Sequence, residues 1–311
     1  MTTGKSEAAT HDYWVFGLRV RSRLELPELI PATADFQPDL FVDEGPVTQR
    51  PDVNQGLVPA GDALLLVIPD VARFLVRNGN HITVDPVPLA PARNVRLFLL
   101  GSAMGALLHQ RGLLPLHANA IEIGGQAVAF MGPSGEGKST LAAWFHDKGH
   151  QVIADDVCVV SADGSDGPTV RPGLPRLRLW REALEASGRN AGDYPASYVD
   201  DGNYDKFDVP LARQSEPEKA WPLACVYLLD RAETFAISRL EGVSAAEALI
   251  ANTYRGQFTQ AARNVVPHWS ACMAVARATP IFRVTRQWGR ERFDSQVGAL
   301  LDHAGALIER A

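Results

Sequence analysis

Apolar and polar positions alternate in short runs over the first third of the chain. Residues 14–20, 64–67 and 74–76 each read as strands, and Pro, Gly, Asp and Asn separate them. This pattern predicts a loose tail over residues 1–12 and a small β-rich domain over 13–90. The stretch 85–92 holds three prolines and reads as the linker. The period then changes. Val95, Leu97, Phe98, Leu99, Leu100, Met104, Leu107 and Leu108 form a wide apolar stripe with Gly112 as its stop, which predicts a core helix. The run is too short to span a bilayer and contains Arg96, so no membrane partner is expected.

From there strands and helices alternate, and residues 91–311 read as one α/β domain. Residues 120–123 and 127–131 are strands with Gly124 and Gly125 as the hairpin turn between them. A helix is expected over 141–148, a buried strand over 151–154 and a further apolar run over 157–160. Residues 226–229 and 281–284 are further strands. Ser244 and Glu247 suggest a capping box for a helix to about residue 262, and 291–309 reads as a final amphipathic helix. The segment 194–217 is polar and has no period; we expect a functional loop that closes as a lid.

The sharpest chemistry lies between the second and third of these elements. Gly132-Pro-Ser-Gly-Glu-Gly-Lys-Ser-Thr140 matches G-x-x-x-x-G-K-[ST] in full, with an apolar strand before it and a helix after it. Gly132, Gly135 and Gly137 free the backbone to wrap its N–H groups around a phosphate. Ser134, Glu136 and Thr140 complete the loop. The dipole of the following helix favours the same anion. Lys138 is a mobile charge that can follow a γ-phosphate, and the Ser139 hydroxyl suits Mg²⁺. ATP and Mg²⁺ are therefore the expected cofactors.

Asp155 and Asp156 end the apolar strand sixteen residues beyond Ser139. Adjacent acids at a strand end project to opposite sides, so one can face the metal and the other an acceptor hydroxyl. Adjacent parallel strands would carry them to the phosphate loop. His117, just upstream of the hairpin, is a candidate third member; alone it would more often be a structural residue.

Composition narrows the classes. The net charge of −6 over 311 residues argues against a nucleic-acid partner. Cys158, Cys225 and Cys272 are widely spaced, which argues against a disulfide framework or a zinc site and fits a reducing cytoplasm. The polar start lacks the apolar core of a secretory signal.

Taken together, Leu116-His-Ala-Asn-Ala120, the phosphate loop and Gly149-His-Gln-Val-Ile-Ala-Asp-Asp156 resemble the catalytic domain of bacterial HPr kinase/phosphorylase. The resemblance implies a P-loop fold like the nucleotide-binding core of phosphoenolpyruvate carboxykinase. It implies Asp155 as the base at the acceptor serine, Asp156 and Ser139 as metal ligands, and His117 orienting the acids. It covers roughly residues 113–160. The family's Glu-Ile-Arg-Gly-Leu-Gly segment, tied to phosphorolysis, is replaced here by Pro172-Gly-Leu-Pro-Arg-Leu-Arg-Leu-Trp180. A looser similarity runs to a divergent branch of HPr-kinase-like proteins, carried by Phe16-Gly-Leu-Arg19, Leu108-His-Gln-Arg-Gly112 and Asn252-Thr-Tyr-Arg255. Some members of that branch phosphorylate the C-terminal serine of lasso precursor peptides.

The expectation is thus a serine kinase acting on a peptide or small protein. HPr itself, or water in an ATPase or switch, is the alternative acceptor. Arg176, Arg178, Lys206 and Arg255 are candidates for substrate or phosphate contacts, since guanidinium groups suit bidentate binding of anions. Oligomeric state stays open, a homo-oligomer included.

Overall fold

The computed structural model describes residues 9–33, 37–49, 54–162, 166–199, 204–212, 216–287, 289 and 291–310. The alternating first third forms an eight-stranded mixed sheet. Its order is Ile30–Pro31, His11–Val15, Leu18–Ser22, Leu40–Glu44, His81–Pro86, Ala72–Arg77, Ala63–Ile68, Gly56–Ala60. The run expected as one strand at 14–20 is a hairpin, because Phe16 and Gly17 take φ of 53° and 72° and reverse the chain. His11 and Asp12 belong to that hairpin rather than to a tail; residues 1–8 lie outside the described residues. Asp85 and Pro86 complete a strand instead of opening a linker.

The apolar stripe forms a helical run, Ala92–Phe98, Leu99–Ala103 and Met104–Gln110, whose middle piece is π-helical. Its buried face packs Val95, Leu99, Ala103 and Leu107 against Val20, Leu40, Phe74 and Ile82 of the sheet. Val157, Val159 and Leu174 from the second half of the chain join the same core.

The second sheet has nine strands. One path runs Val152–Ala154, Ala118–Ile123, Gln126–Met131, Trp221–Arg231, Thr169–Arg171, Cys158–Ser161, Leu114–Leu116. Ile281–Arg286 also pairs with Trp221–Arg231 and carries Ala236–Leu240 on its far side. Gln126–Met131, Trp221–Arg231 and Ile281–Arg286 run parallel. Gly124 and Gly125, with φ of 57° and 80°, make the expected hairpin. Along Gln126–Met131 the two-residue period divides the strand between two cores. Val128 and Phe130 meet Leu141 and Phe145 of the helix after the loop and Val297 and Leu300 of the last helix. Ala127, Ala129 and Met131 meet Ala245, Leu249, Cys272 and Val275 on the other face. Helices cover both faces, as a parallel core requires.

Three expectations change. The strand Val152–Ala154 does not adjoin Gln126–Met131: Ala118–Ile123 lies between them, antiparallel to both, because the tight hairpin returns alongside the loop strand. The helix expected to reach residue 262 stops at Ala251, where Asn252 and Thr253 side chains bond back to Ala248 and Leu249 carbonyls. Ser244 donates to the Glu241 carbonyl and forms no capping box. Residues 258–261 and 265–278 then form separate helices. The aperiodic segment is not wholly a loop: Lys206–Pro210 pairs with Arg176–Trp180, while 200–203 and 213–215 lie outside the described residues. Among the described residues no helix is long and apolar enough to cross a membrane, and all three cysteines are buried and free.

Candidate functional site

The loop that follows Met131 owes its path to glycine. Gly132 has φ of 152°, and a Cβ there would stand 2.8 Å from the Leu229 carbonyl oxygen of the neighbouring parallel strand. Gly137 takes φ of 74° and starts the helix Lys138–Asp147. Lys138 folds back over the loop, its Nζ donating to the carbonyls of Gly132 at 2.7 Å and Pro133 at 2.9 Å. Burial lowers its ammonium pKa from 10.5 to about 8, although Asp156 and Asp155 oppose this. The lysine sits in a nest of carbonyls and can exchange them for phosphate oxygens.

The acid pair forms the turn between Val152–Ala154 and Cys158–Ser161, and Asp156 has φ of 70°. That left-handed residue separates the two carboxylates. Asp155, 5 % exposed, receives the Ser139 hydroxyl on Oδ1 at 3.3 Å and the Arg178 backbone N–H on Oδ2 at 2.8 Å. Burial pushes its carboxyl up to about 6, and neighbouring Asp156 adds to the shift. Asp156 turns instead to Arg178 Nη1 at 3.0 Å and to His117 Nδ1, 3.4 Å from its Oδ1. Burial alone would raise its carboxyl too, but the Arg178 and His117 charges hold it below the usual carboxylate range. His117 Nδ1 also lies 3.1 Å from the Asp156 carbonyl oxygen. Burial, with Lys138 adding to it, lowers the imidazole pKa, and Asp156 opposes the shift.

The four basic candidates separate. Arg178 spans both acids, and its Nε is buried with no hydrogen-bond partner among the described residues. Arg176 binds Asp208 at 2.5 Å beside it. Lys206 lies over the Trp180 ring at 4.8 Å, close enough to both acids to bias their titration. Arg255 does not join them: it stacks over the Tyr254 ring at 5.7 Å, and Tyr254 is the residue that faces Asp156 and Arg178.

Four residues not singled out from the sequence belong to this neighbourhood. Asn119 donates to the Lys138 carbonyl and braces the first turn of the helix. Asp208 is a buried carboxylate that takes Arg93 at 2.7 Å, Arg176 and the Ser197 hydroxyl at 2.6 Å. Tyr254 reaches in over the π-helical turn, where a Cβ on Gly101 would come within 3.2 Å of its hydroxyl. Arg286 donates to the Glu136 carbonyl of the phosphate loop. Asn119, Asp208 and Tyr254 had a faint signal: an amide or acid inside an apolar strand, or a glycine inside an apolar helix. A narrow crevice is lined by Leu100, Gly101, Asp155, Asp156, Arg176 and Arg178.

The sequence motif of the loop implies a divalent cation beside a nucleotide, and the residues fit one. Asp155 is a buried carboxylate, and the Ser139 hydroxyl lies against it. Among the described residues no three His, Cys, Asp or Glu side chains converge as a metal cage. One carboxylate and one hydroxyl leave the other positions to phosphate and water, which suits Mg²⁺.

No protein-family model matches the chain, and no curated protein matches it. Among solved structures it is similar to the HPr(Ser) kinase/phosphatase from Coxiella burnetii, at 11% identity and a TM-score of 0.32. That likeness covers 63% of this chain and 99% of the other.

Proposed function

We propose that this chain is an ATP- and Mg²⁺-dependent kinase that transfers the γ-phosphate to a serine hydroxyl of a peptide or small protein. The observation that carries the reading is the meeting of Ser139 and Asp155 at 3.3 Å, which joins the phosphate loop to the acid turn. Loop N–H groups and Lys138 hold the triphosphate. Asp155 and Ser139 would hold Mg²⁺, which supplies charge neutralisation at the phosphates when bound. Asp156, kept ionised by Arg178 and steadied by His117, accepts a hydrogen bond from the acceptor hydroxyl and orients it in line. This allocation exchanges the roles that the sequence resemblance gave to Asp155 and Asp156; it follows from which acid touches Ser139.

For the acceptor we infer a ribosomal precursor peptide of the lasso type, with its C-terminal serine as the phosphorylated residue. The support is the looser sequence resemblance and the replacement of the phosphorolysis segment by Pro172–Trp180. A cytoplasmic setting fits three buried thiols. The test incubates the full chain with MgATP and candidate acceptors: lasso precursor peptides, with HPr for comparison. A mass gain of one phosphate on a seryl peptide supports the reading. Release of free phosphate with every acceptor unmodified would make the protein an ATPase instead.

A further inference from the structure

The phosphate loop carries an acid of its own. Glu136 stands between Gly135 and Gly137, in the stretch that must receive the polyphosphate, and its side chain is only 15 % exposed. Its Oε2 is buried with no hydrogen-bond partner among the described residues. A partly desolvated carboxylate beside a triphosphate repels it strongly, because low dielectric strengthens the Coulomb term.

Two arginines close on this residue. Arg286 is 5 % exposed and donates from Nη2 to the Glu136 carbonyl oxygen. Arg231 Nη2 lies 3.6 Å from Glu136 Oε1. The two are register partners at the carboxyl ends of the parallel strands Trp221–Arg231 and Ile281–Arg286. The third parallel strand, Gln126–Met131, feeds the loop itself, so both guanidinium groups stand at the strand edge where α/β sheets bind ligands.

We propose that Arg286 and Arg231 are positioning residues that neutralise Glu136, and that this neutralisation sets the affinity of the loop for nucleoside triphosphate. The proposal rests on the nucleotide-binding reading above and deepens it. Arg286 also fixes the peptide unit of Glu136, so the loop keeps its N–H groups turned inward. Neither arginine touches nucleotide on this account; each acts through Glu136.

A double-mutant cycle tests it on the full chain, with MgATP and MgADP as probes and Kd by titration calorimetry. Arg286→Met is expected to weaken MgATP binding about tenfold, and the Arg231 variant, whose side chain is 57 % exposed, about threefold. Adding Glu136→Gln to either variant is expected to recover most of the loss. The loss should be larger for the triphosphate than for MgADP, since repulsion grows with ligand charge. Arg286→Lys keeps the charge and should lie near wild type, which separates charge from misfolding. Double variants as weak as the single arginine variants would overturn the proposal, because the arginines would then act on nucleotide directly; so would an Arg286→Met variant of undiminished affinity. A wild-type chain that binds no nucleotide would sink the phosphotransfer reading. Melting temperatures without ligand would still decide this one: Arg286→Met should lower the Tm and Glu136→Gln should restore it in that background, and no restoration would count against it.

Discussion

The Ser139 hydroxyl donates to Asp155 and not to Asp156, although the two acids are neighbours in the chain. The positive φ of Asp156 rotates its carboxylate away, toward Arg178 and His117. On the proposed reading this divides the acid pair into a metal side and an acceptor side.

Asp155→Asn is expected to raise the Mg²⁺ concentration needed for half-maximal phosphotransfer at least tenfold and to cut the rate about a hundredfold. Asp156→Asn should cut the rate comparably while leaving Mg²⁺ dependence and MgATP affinity within about threefold of wild type. Mg²⁺ titrations of both variants check the division. The opposite pattern would return the base role to Asp155.

Gly132→Ala should abolish measurable ATP binding. Its Cβ would meet the Leu229 carbonyl oxygen at 2.8 Å, and φ of 152° is strained for any side chain. The strain costs about 1–3 kcal/mol, so the Tm should drop by several degrees while the far-UV circular dichroism stays native.

Lys138 has its pKa lowered to about 8 by burial in the ligand-free protein. A bound polyphosphate stabilises the ammonium and moves that pKa back up. Nucleotide binding should therefore take up a proton at pH 8 to 9 and almost none below pH 7. Calorimetry of ATP binding in buffers of different ionisation enthalpy measures this directly, and Lys138→Met should erase the uptake.

Arg189 binds Asp147 in a bidentate pair that ties the end of the loop helix to the chain beyond Arg181–Ala186. Burial raises the Asp147 carboxyl, but Arg189 and His146 outweigh it and leave the pKa below 3.8. A depressed carboxylate pKa stabilises the fold above the unfolded value, and the gain is lost as pH falls through the folded one. Arg189→Met should cost up to about 1 kcal/mol at pH 7, discounted for the half-exposed acid. The gap to wild type should close below about pH 4. Urea midpoints across that range read it out.

The motif Gly132–Thr140, the strand before it and the helix after it were legible because each depends on neighbours in the chain. Glycines at fixed offsets, an apolar run and a good helix start are local properties. The hairpin at Gly124 and Gly125 was legible for the same reason. The helix around residue 100 was visible as a stripe, but its π-helical turn was not. Gly101 in that turn lies against Tyr254, and the two are about 150 residues apart.

The sequence by itself determined the chemistry on offer: a phosphate loop, a lysine, a serine and two adjacent acids within a short span. It could not determine which acid meets the serine. That choice lies in one left-handed φ at Asp156 and in Arg178, which arrives from a different strand. It also could not show that Ala118–Ile123 separates the loop strand from the acid strand, since strand order is set by nonlocal pairing. Asp208 and Tyr254 left only faint signals, and Arg286 none, for the same reason. Their partners lie far away in the chain, and side-chain contacts across such distances leave no periodic trace in a single chain.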